Sequence, residues 1–470
     1  MSFALTPPVS SAARSYQLAT ILLGLALPIS TAIDNLLLFV ILIGWALCSG
    51  WQNKWANLRA NLLSWVLLAF LLLVALGTTW GYGNAAERLR YFSKYAVLLL
   101  PLALIALPLA EVQKRRAAAA FGLGILLTLA LSYALWAGVD LPDWLSKNND
   151  ASNPVVFKLH ITHSFFVVLG AFMFFVSARH ARDRSWRWGL GFAAVLAVLN
   201  LLMVQGRTGQ LVLLVLTGYL FLQRWRWRGV IVVGAVIAGA GIVVSQFPDV
   251  PVWTRYSEGI KEIQNWQFGS TDQSSMGLRM QYAATSLRII AEHPLIGVGT
   301  GGFEYAYGQQ IAGTAAQASN NPHNQYLLTT TQLGLPGLIV LLAMFVVLWR
   351  TARRLPLVEQ LLARGLVLAY LVGNLFNSFL LDHSEKLLFA WAVGLLFSGL
   401  PAGSKNTTGR NKDVTLLDSV TPGVVWTCVF GSESLTAIPR VLACRDDLAF
   451  EVVTVAPAPT TGLWHLNFWF

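Results

Sequence analysis

Apolar runs of roughly 20 residues recur along this chain, and each is long enough to cross a bilayer as a helix. In lipid, a spanning segment must satisfy its own backbone, which leaves helices or closed barrels. The runs lack the strict alternation of barrel strands, so the sequence predicts an all-α polytopic membrane protein. Of the 470 residues, 56% are hydrophobic and only 12% are charged. A soluble domain of this length carries about twice that charge.

About twelve spans are expected, at 16–33, 35–51, 61–80, 91–110, 117–137, 159–178, 188–204, 209–223, 229–246, 326–349, 362–381 and 385–400. The net charge of +11 invites a nucleic-acid reading, but most Lys and Arg cluster between apolar runs, as membrane topology requires. No nucleic-acid partner is expected. Cys48, Cys428 and Cys444 show neither metal spacing nor a disulfide framework. The first apolar run leads straight into another, without a cleavable-signal pattern.

Connections rich in Lys and Arg alternate with poor ones. The rich set includes Lys54 and Arg59, Lys114 to Arg116, Arg179 to Arg187, Arg224 to Arg228, and Arg350 to Arg354. The positive-inside rule makes this set cytoplasmic, with both termini on the same side. The chain then divides into spans one to nine (1–245), a large outer loop (246–325), spans ten to twelve (326–400) and a cytoplasmic tail (401–470) that carries no usable motif.

Three arginines break the charge rule. Arg88 and Arg90 lie in an outer connection, and Arg207 lies in the short turn Gln205-Gly-Arg-Thr-Gly209. A charge at membrane depth needs a partner. Each either anchors its helix by snorkelling or binds an anion.

The 246–325 loop carries the densest polar patterning. Helical spacing runs from Gly277 to Glu292 and includes Arg279 and Arg288; Pro294 disfavours helix at His293. Gly297-Val-Gly-Thr-Gly-Gly302 follows. Such a run either brings backbone N–H groups to an anion or is a flexible turn. Asn321 is expected to cap the tenth span with Pro322 at its first position, which would put His323 in the first turn. A helix N-terminus disfavours imidazolium, so His323 should stay neutral and able to accept a proton; a merely capping histidine is the alternative. His160 and His163 start the sixth span and read as structural. Asp382 in the last outer turn either orients a base, pairs with an arginine or is simply solvated. Arginine suits phosphate through its planar fork of donors, and a histidine beside an anion site suits general-base work. No Asp-x-Asp occurs in an outer loop, and no metal or other cofactor is expected.

Gly206-Arg-Thr-Gly209, Gly277-Leu-Arg279, His293-Pro-Leu-Ile-Gly-Val-Gly299, and His323-Asn-Gln-Tyr-Leu327 before Gly334-Leu-Pro-Gly337 together resemble the O-antigen ligase/polymerase superfamily. The order of motifs and the large loop before the tenth span look most like the ligases. The layout matches over roughly 15–400, with the specific motifs in 205–337.

The resemblance implies a GT-C-like fold in a bacterial inner membrane, with the active face periplasmic. It implies metal-independent, inverting transfer of a preassembled glycan from undecaprenyl diphosphate to the lipid A–core oligosaccharide of lipopolysaccharide. Arg207 and Arg279 would hold the diphosphate and His323 would activate the acceptor hydroxyl. Arg88, Arg288, Gly299 and Asp382 are further candidates for binding donor or acceptor. An O-antigen polymerase and a protein O-oligosaccharyltransferase share the superfamily. A transporter also fits twelve spans, but transporters place polar, broken helices at the midplane, whereas this chain gathers polar residues at one face.

Overall fold

The computed structural model describes residues 10–229 except 148, scattered positions between 231 and 258, then 261–270 and 274–400. The expected tail 401–470 and most of the ninth run and of the segment to 260 lie outside the described residues. The described residues belong to one compact unit ending at Ser404.

Among the described residues there are helices and no strands. They are α1 (Ser11–Ala26), α2 (Thr31–Leu47), α3 (Trp51–Ala60), α4 (Leu62–Trp80), α5 (Ala85–Tyr95), α6 (Leu99–Ala106), α7 (Glu111–Trp136), α8 (Asp143–Ser146), α9 (His160–His180), α10 (Arg184–Met203), α11 (Arg207–Trp225), α12 (Ser275–Glu292), α13 (Phe303–Gln310), α14 (Gln325–Thr351), α15 (Leu357–Gly373) and α16 (His383–Phe397). Among the described residues, six helices, counting α5 with α6 as one, are long and apolar enough to cross a membrane, or seven if the bent pair α2 and α3 is one span. Three of the expected spans, α1, α15 and α16, are only 16, 17 and 15 residues long. Their helices end early at turns that the hydropathy pattern does not mark.

The apolar surface sits where lipid would be. Leu36, Phe39, Leu72, Phe192 and Ile339 are exposed along their helices, whereas α9 buries most of its length. A buried charge pair lies inside the bundle, where a low dielectric favours pairing. Lys158, just before α9, reaches Asp34 of α2 at 3.5 Å and Ser384 of α16 at 3.1 Å.

The feature that shapes the polar end is a break in α14. Gly334 adopts φ +65°, ψ −166° inside this helix, two residues before Pro336. Proline has no N–H to give the carbonyl four residues back, so the Gln332 carbonyl loses its helical donor. The Gly299 N–H fills it at 2.8 Å. The Leu335 N–H turns away to the Pro294 carbonyl at 2.9 Å, and the Thr331 carbonyl it leaves accepts from Val298 at 2.9 Å. The opposite edge of the same loop docks on α4, where Thr300 donates through N–H to Gly77 at 2.9 Å and through its hydroxyl to Val74 at 2.7 Å. The segment 293–302 is thus a rigid strap between α4 and the break in α14.

Candidate active site

Arg207 is the first residue of α11, with Gly206 before it. Gly206 and Gly209 bring this helix start against α9: an added Cβ would lie 2.2 Å from the Ser164 hydroxyl oxygen at Gly206 and 2.6 Å from Ser164 Cβ at Gly209. The glycines of the Gly-Arg-Thr-Gly turn therefore set a close approach, and Arg207 is left exposed at its tip.

Arg279 stands in the first half of α12. Ser274 caps that helix by accepting from the Gly277 N–H at 3.0 Å, and Glu262 accepts from the Met276 N–H at 3.0 Å. Burial pulls the Arg279 guanidinium below its ordinary value, Arg207 adds to the effect, and Glu262 opposes it. A guanidinium does not lose its proton in this range, so the consequence is a concentrated positive field. Two arginines from separate helices, one of them partly buried, act on each other here. Arg279 also lies within electrostatic reach of His160 at the head of α9.

His323 completes the group. The Asn321 side chain accepts from the His323 N–H at 3.0 Å and from the Ser378 hydroxyl at 2.7 Å. This turn holds His323 at φ +50°, a left-handed conformation that costs a non-glycine residue about 1–2 kcal/mol. Strain of this kind persists where the surroundings over-determine it. The segment 374–380 does so: Asn324 donates to the Leu375 carbonyl at 3.0 Å, Gln325 N–H to the Asn374 carbonyl at 2.9 Å, and the Leu380 N–H to the Gln325 side chain at 3.0 Å. The imidazole packs at 5.7 Å from the Tyr282 ring, one helical turn along from Arg279. Desolvation pulls the His323 pKa below its usual 6.5; a side-chain hydrogen bond with Asn377 opposes this, and Arg279 reinforces it. Burial and Arg279 both favour the neutral ring, which has a nitrogen able to accept a proton.

One expectation is corrected here. α14 begins at Gln325, and Asn324, not Asn321, caps it by accepting from the Leu327 N–H at 3.0 Å. His323 therefore precedes the helix instead of lying in its first turn. Both asparagines are capable caps; Ser378 decides between them by engaging Asn321.

The other candidates are placed elsewhere. Arg88 donates to the Thr78 carbonyl at 2.9 Å, closing the last turn of α4 in the way a basic side chain stabilises a helix C-terminus. Arg90 pairs with Glu304 at 3.4 Å on the surface. Arg288 lies nine residues after Arg279, about half a turn out of phase at about 3.6 residues per turn, and stacks 3.6 Å from the Phe268 ring. Gly299 gives its N–H to Gln332, so the glycine run forms the strap's packing surface and not an open anion nest at that position. Asp382 precedes α16, where burial pushes its carboxyl up to about 7; Glu385 adds to this, and Lys94 and Lys386 oppose it. His163 is buried between the Val156 carbonyl and the Asn200 side chain, a structural role. Among the described residues no three His, Cys, Asp or Glu side chains gather as metal ligands do.

Tyr282, Asn377 and Ser378 escaped the reading of the sequence. Asn377 has no recognisable motif around it, and only the fold brings its segment to the turn that holds His323.

A family model for O-antigen ligase, Wzy_C, matches residues 192–342. That stretch, about a third of the chain, is similar to the O-antigen ligase family. The match supports membership of the O-antigen ligase/polymerase superfamily. No curated protein matches the chain. The matched stretch contains Arg207, Arg279, the strap 293–302 and His323. Arg88, Asn377 and Asp382 fall outside its bounds.

Proposed function

We propose that this superfamily member is an O-antigen ligase. It transfers a preassembled polysaccharide from undecaprenyl diphosphate to the lipid A–core oligosaccharide, at the periplasmic face of a bacterial inner membrane, through a twelve-span GT-C-like fold. The observation that supports the chemistry best is that Arg279 lies within electrostatic reach of both Arg207 and His323, and that all three fall in the stretch similar to the O-antigen ligase family.

Arg207 and Arg279 hold the diphosphate. Their charge rises in value as the sugar–oxygen bond breaks and negative charge grows on the leaving group, which is the condition for lowering a barrier. His323 takes the proton of the acceptor hydroxyl as that oxygen attacks the anomeric carbon. The new glycosidic bond forms as the bond to undecaprenyl diphosphate breaks, the electron pair leaves with the phosphate oxygen, and the anomeric centre inverts. Neither a nucleotide nor a metal is required by this route.

The acceptor separates a ligase from a polymerase, which uses the same donor and extends a second lipid-linked glycan. Purified protein in liposomes with lipid-linked glycan is offered lipid A–core or a second lipid-linked glycan. The ligase reading expects product on lipid A–core; product only on the lipid-linked glycan makes the protein a polymerase.

A further inference from the structure

Beside the strap, on the far side of α13 from Tyr282, lies an open cavity of about 710 Å³ lined by Tyr82, Gly83, Asn84, Glu87 and Tyr305. The Tyr82 and Tyr305 rings meet edge to face at 6.1 Å, and both stay open to the outside, at 41% and 52% exposure. The His293 ring backs Tyr82 at 5.6 Å. The strap fixes the platform itself, because the Tyr82 N–H donates to the Val298 carbonyl at 2.9 Å.

The polar side of the cavity is preorganised. Asn84 accepts from the Glu87 N–H at 2.9 Å and donates to one Glu87 carboxylate oxygen at 3.0 Å. Gly83, at φ +89°, lies under the other oxygen, which an added Cβ would approach to 2.5 Å. The carboxylate is thus aimed by Asn84 over a floor without a side chain.

We infer that this cavity is a glycan-binding subsite, separate from the arginine and histidine group, that grips sugars remote from the reacting bond. The inference rests on the proposed transfer of a lipid-linked glycan. A sugar ring offers a C–H face that packs on an aromatic ring, and hydroxyl or amide hydrogens that a carboxylate accepts. The Glu87 carboxylate also repels phosphate, so this cavity and the arginine site sort the two ends of the donor by charge. Position agrees. Tyr305 and Tyr307 lie two residues apart on α13, on nearly opposite sides; Tyr307 meets Tyr282 at 5.9 Å, and Tyr282 packs on His323. One helix, about 10 Å across, therefore separates the cavity from Tyr282. Only a glycan of several residues reaches both.

The test uses full-length protein in nanodiscs and two probes prepared from the source cell: its lipid-linked glycan, and the free glycan released from it by mild acid. Saturation-transfer NMR should show the free glycan on the wild type. Tyr82→Ala with Tyr305→Ala should weaken it at least tenfold, Tyr82→Phe with Tyr305→Phe less than threefold, and inorganic diphosphate should not displace it. If the double alanine variant loses its thermal transition, Tyr305→Ala alone serves, with a threefold loss as the threshold. No binding to the wild type, equal binding to the alanine variants, or displacement by diphosphate overturns the subsite. Tyrosine-dependent binding without transfer to lipid A–core keeps the subsite and removes the ligase reading. Transfer to lipid A–core with tyrosine-independent binding does the reverse.

Discussion

The Gly299 N–H donates to the Gln332 carbonyl at 2.8 Å, and that carbonyl is vacant because Pro336 follows it four residues later. Two sequence motifs, one in the outer loop and one in the span after it, are therefore halves of a single joint. The joint fixes the strap 293–302, and through it the end of α12 and the start of α13. Only glycine fits at its centre: Gly299 has φ +79°, and an added Cβ would lie 2.2 Å from Gly81 Cα.

Gly299→Ala is accordingly expected to lower stability by about 2–4 kcal/mol, the sum of left-handed strain and overpacking, read as a fall in thermal transition temperature in detergent. Gly308→Ala, a helical position with nothing within 4 Å of an added Cβ, is the control and should leave the transition unchanged or slightly raised. Equal effects of the two would mean that the strap is not a tight joint.

His323 combines backbone strain with the proposed role of base, and substitutions separate them. His323→Gly relieves the φ +50° strain and should leave the protein as stable as the wild type or more so, while transfer falls about 10²–10⁴-fold, the range for losing a general base. His323→Ala should lose activity equally without the gain in stability. Retained transfer in both would reassign the base.

In the proposed mechanism, proton uptake by His323 sets the acid limb of the rate profile. Burial lowers the pKa below 6.5 and Arg279 lowers it further, so the neutral, competent form persists below pH 6.5 and kcat/KM declines only as pH falls through the lowered value. The Asn377 hydrogen bond raises this pKa. Asn377→Ala should move the acid limb to lower pH, and Asn377→Asp, by placing a carboxylate there, to higher pH. A packing role for Asn377 would alter the transition temperature of both variants and leave the limb where it is.

The arginines differ by place. Arg207→Ala and Arg279→Ala should each cut turnover about 10²–10³-fold, as loss of a donor to developing charge does; lysine should restore only part, because a point charge lacks the planar fork. Arg288→Ala, on the other side of α12, should keep turnover within a few-fold. Arg88→Ala removes the bond to Thr78 and should show itself as lost stability, about 0.5–1.5 kcal/mol. A lysine variant with full activity at either Arg207 or Arg279 contradicts bidentate phosphate recognition.

Much of this was legible in the residues, and the exceptions have physical causes. The end of α12 at His293 follows from Pro294, which excludes helix from the residue before it. The membrane class follows from the apolar runs. The glycine run could not be told from an anion nest, since the carbonyls it serves become vacant only through Pro336, some 35 residues on. The cap of α14 was misplaced by three residues because the choice between Asn321 and Asn324 is made by Ser378, a tertiary partner. Asn377 carried no signal that tied it to His323: only the fold brings the segment after α15 to the turn before α14. Of the expected spans, six or seven are matched by described helices long and apolar enough to cross a membrane, and most of the ninth run lies outside the described residues.

The most direct measurement is the transfer rate from lipid-linked glycan to lipid A–core by purified protein in liposomes, comparing wild type, Arg279→Ala and His323→Ala at equal amounts of folded protein. The account predicts glycosylated lipid A–core from the wild type and at most about one-hundredth of that rate from either variant. A wild-type rate from His323→Ala or from Arg279→Ala would contradict it.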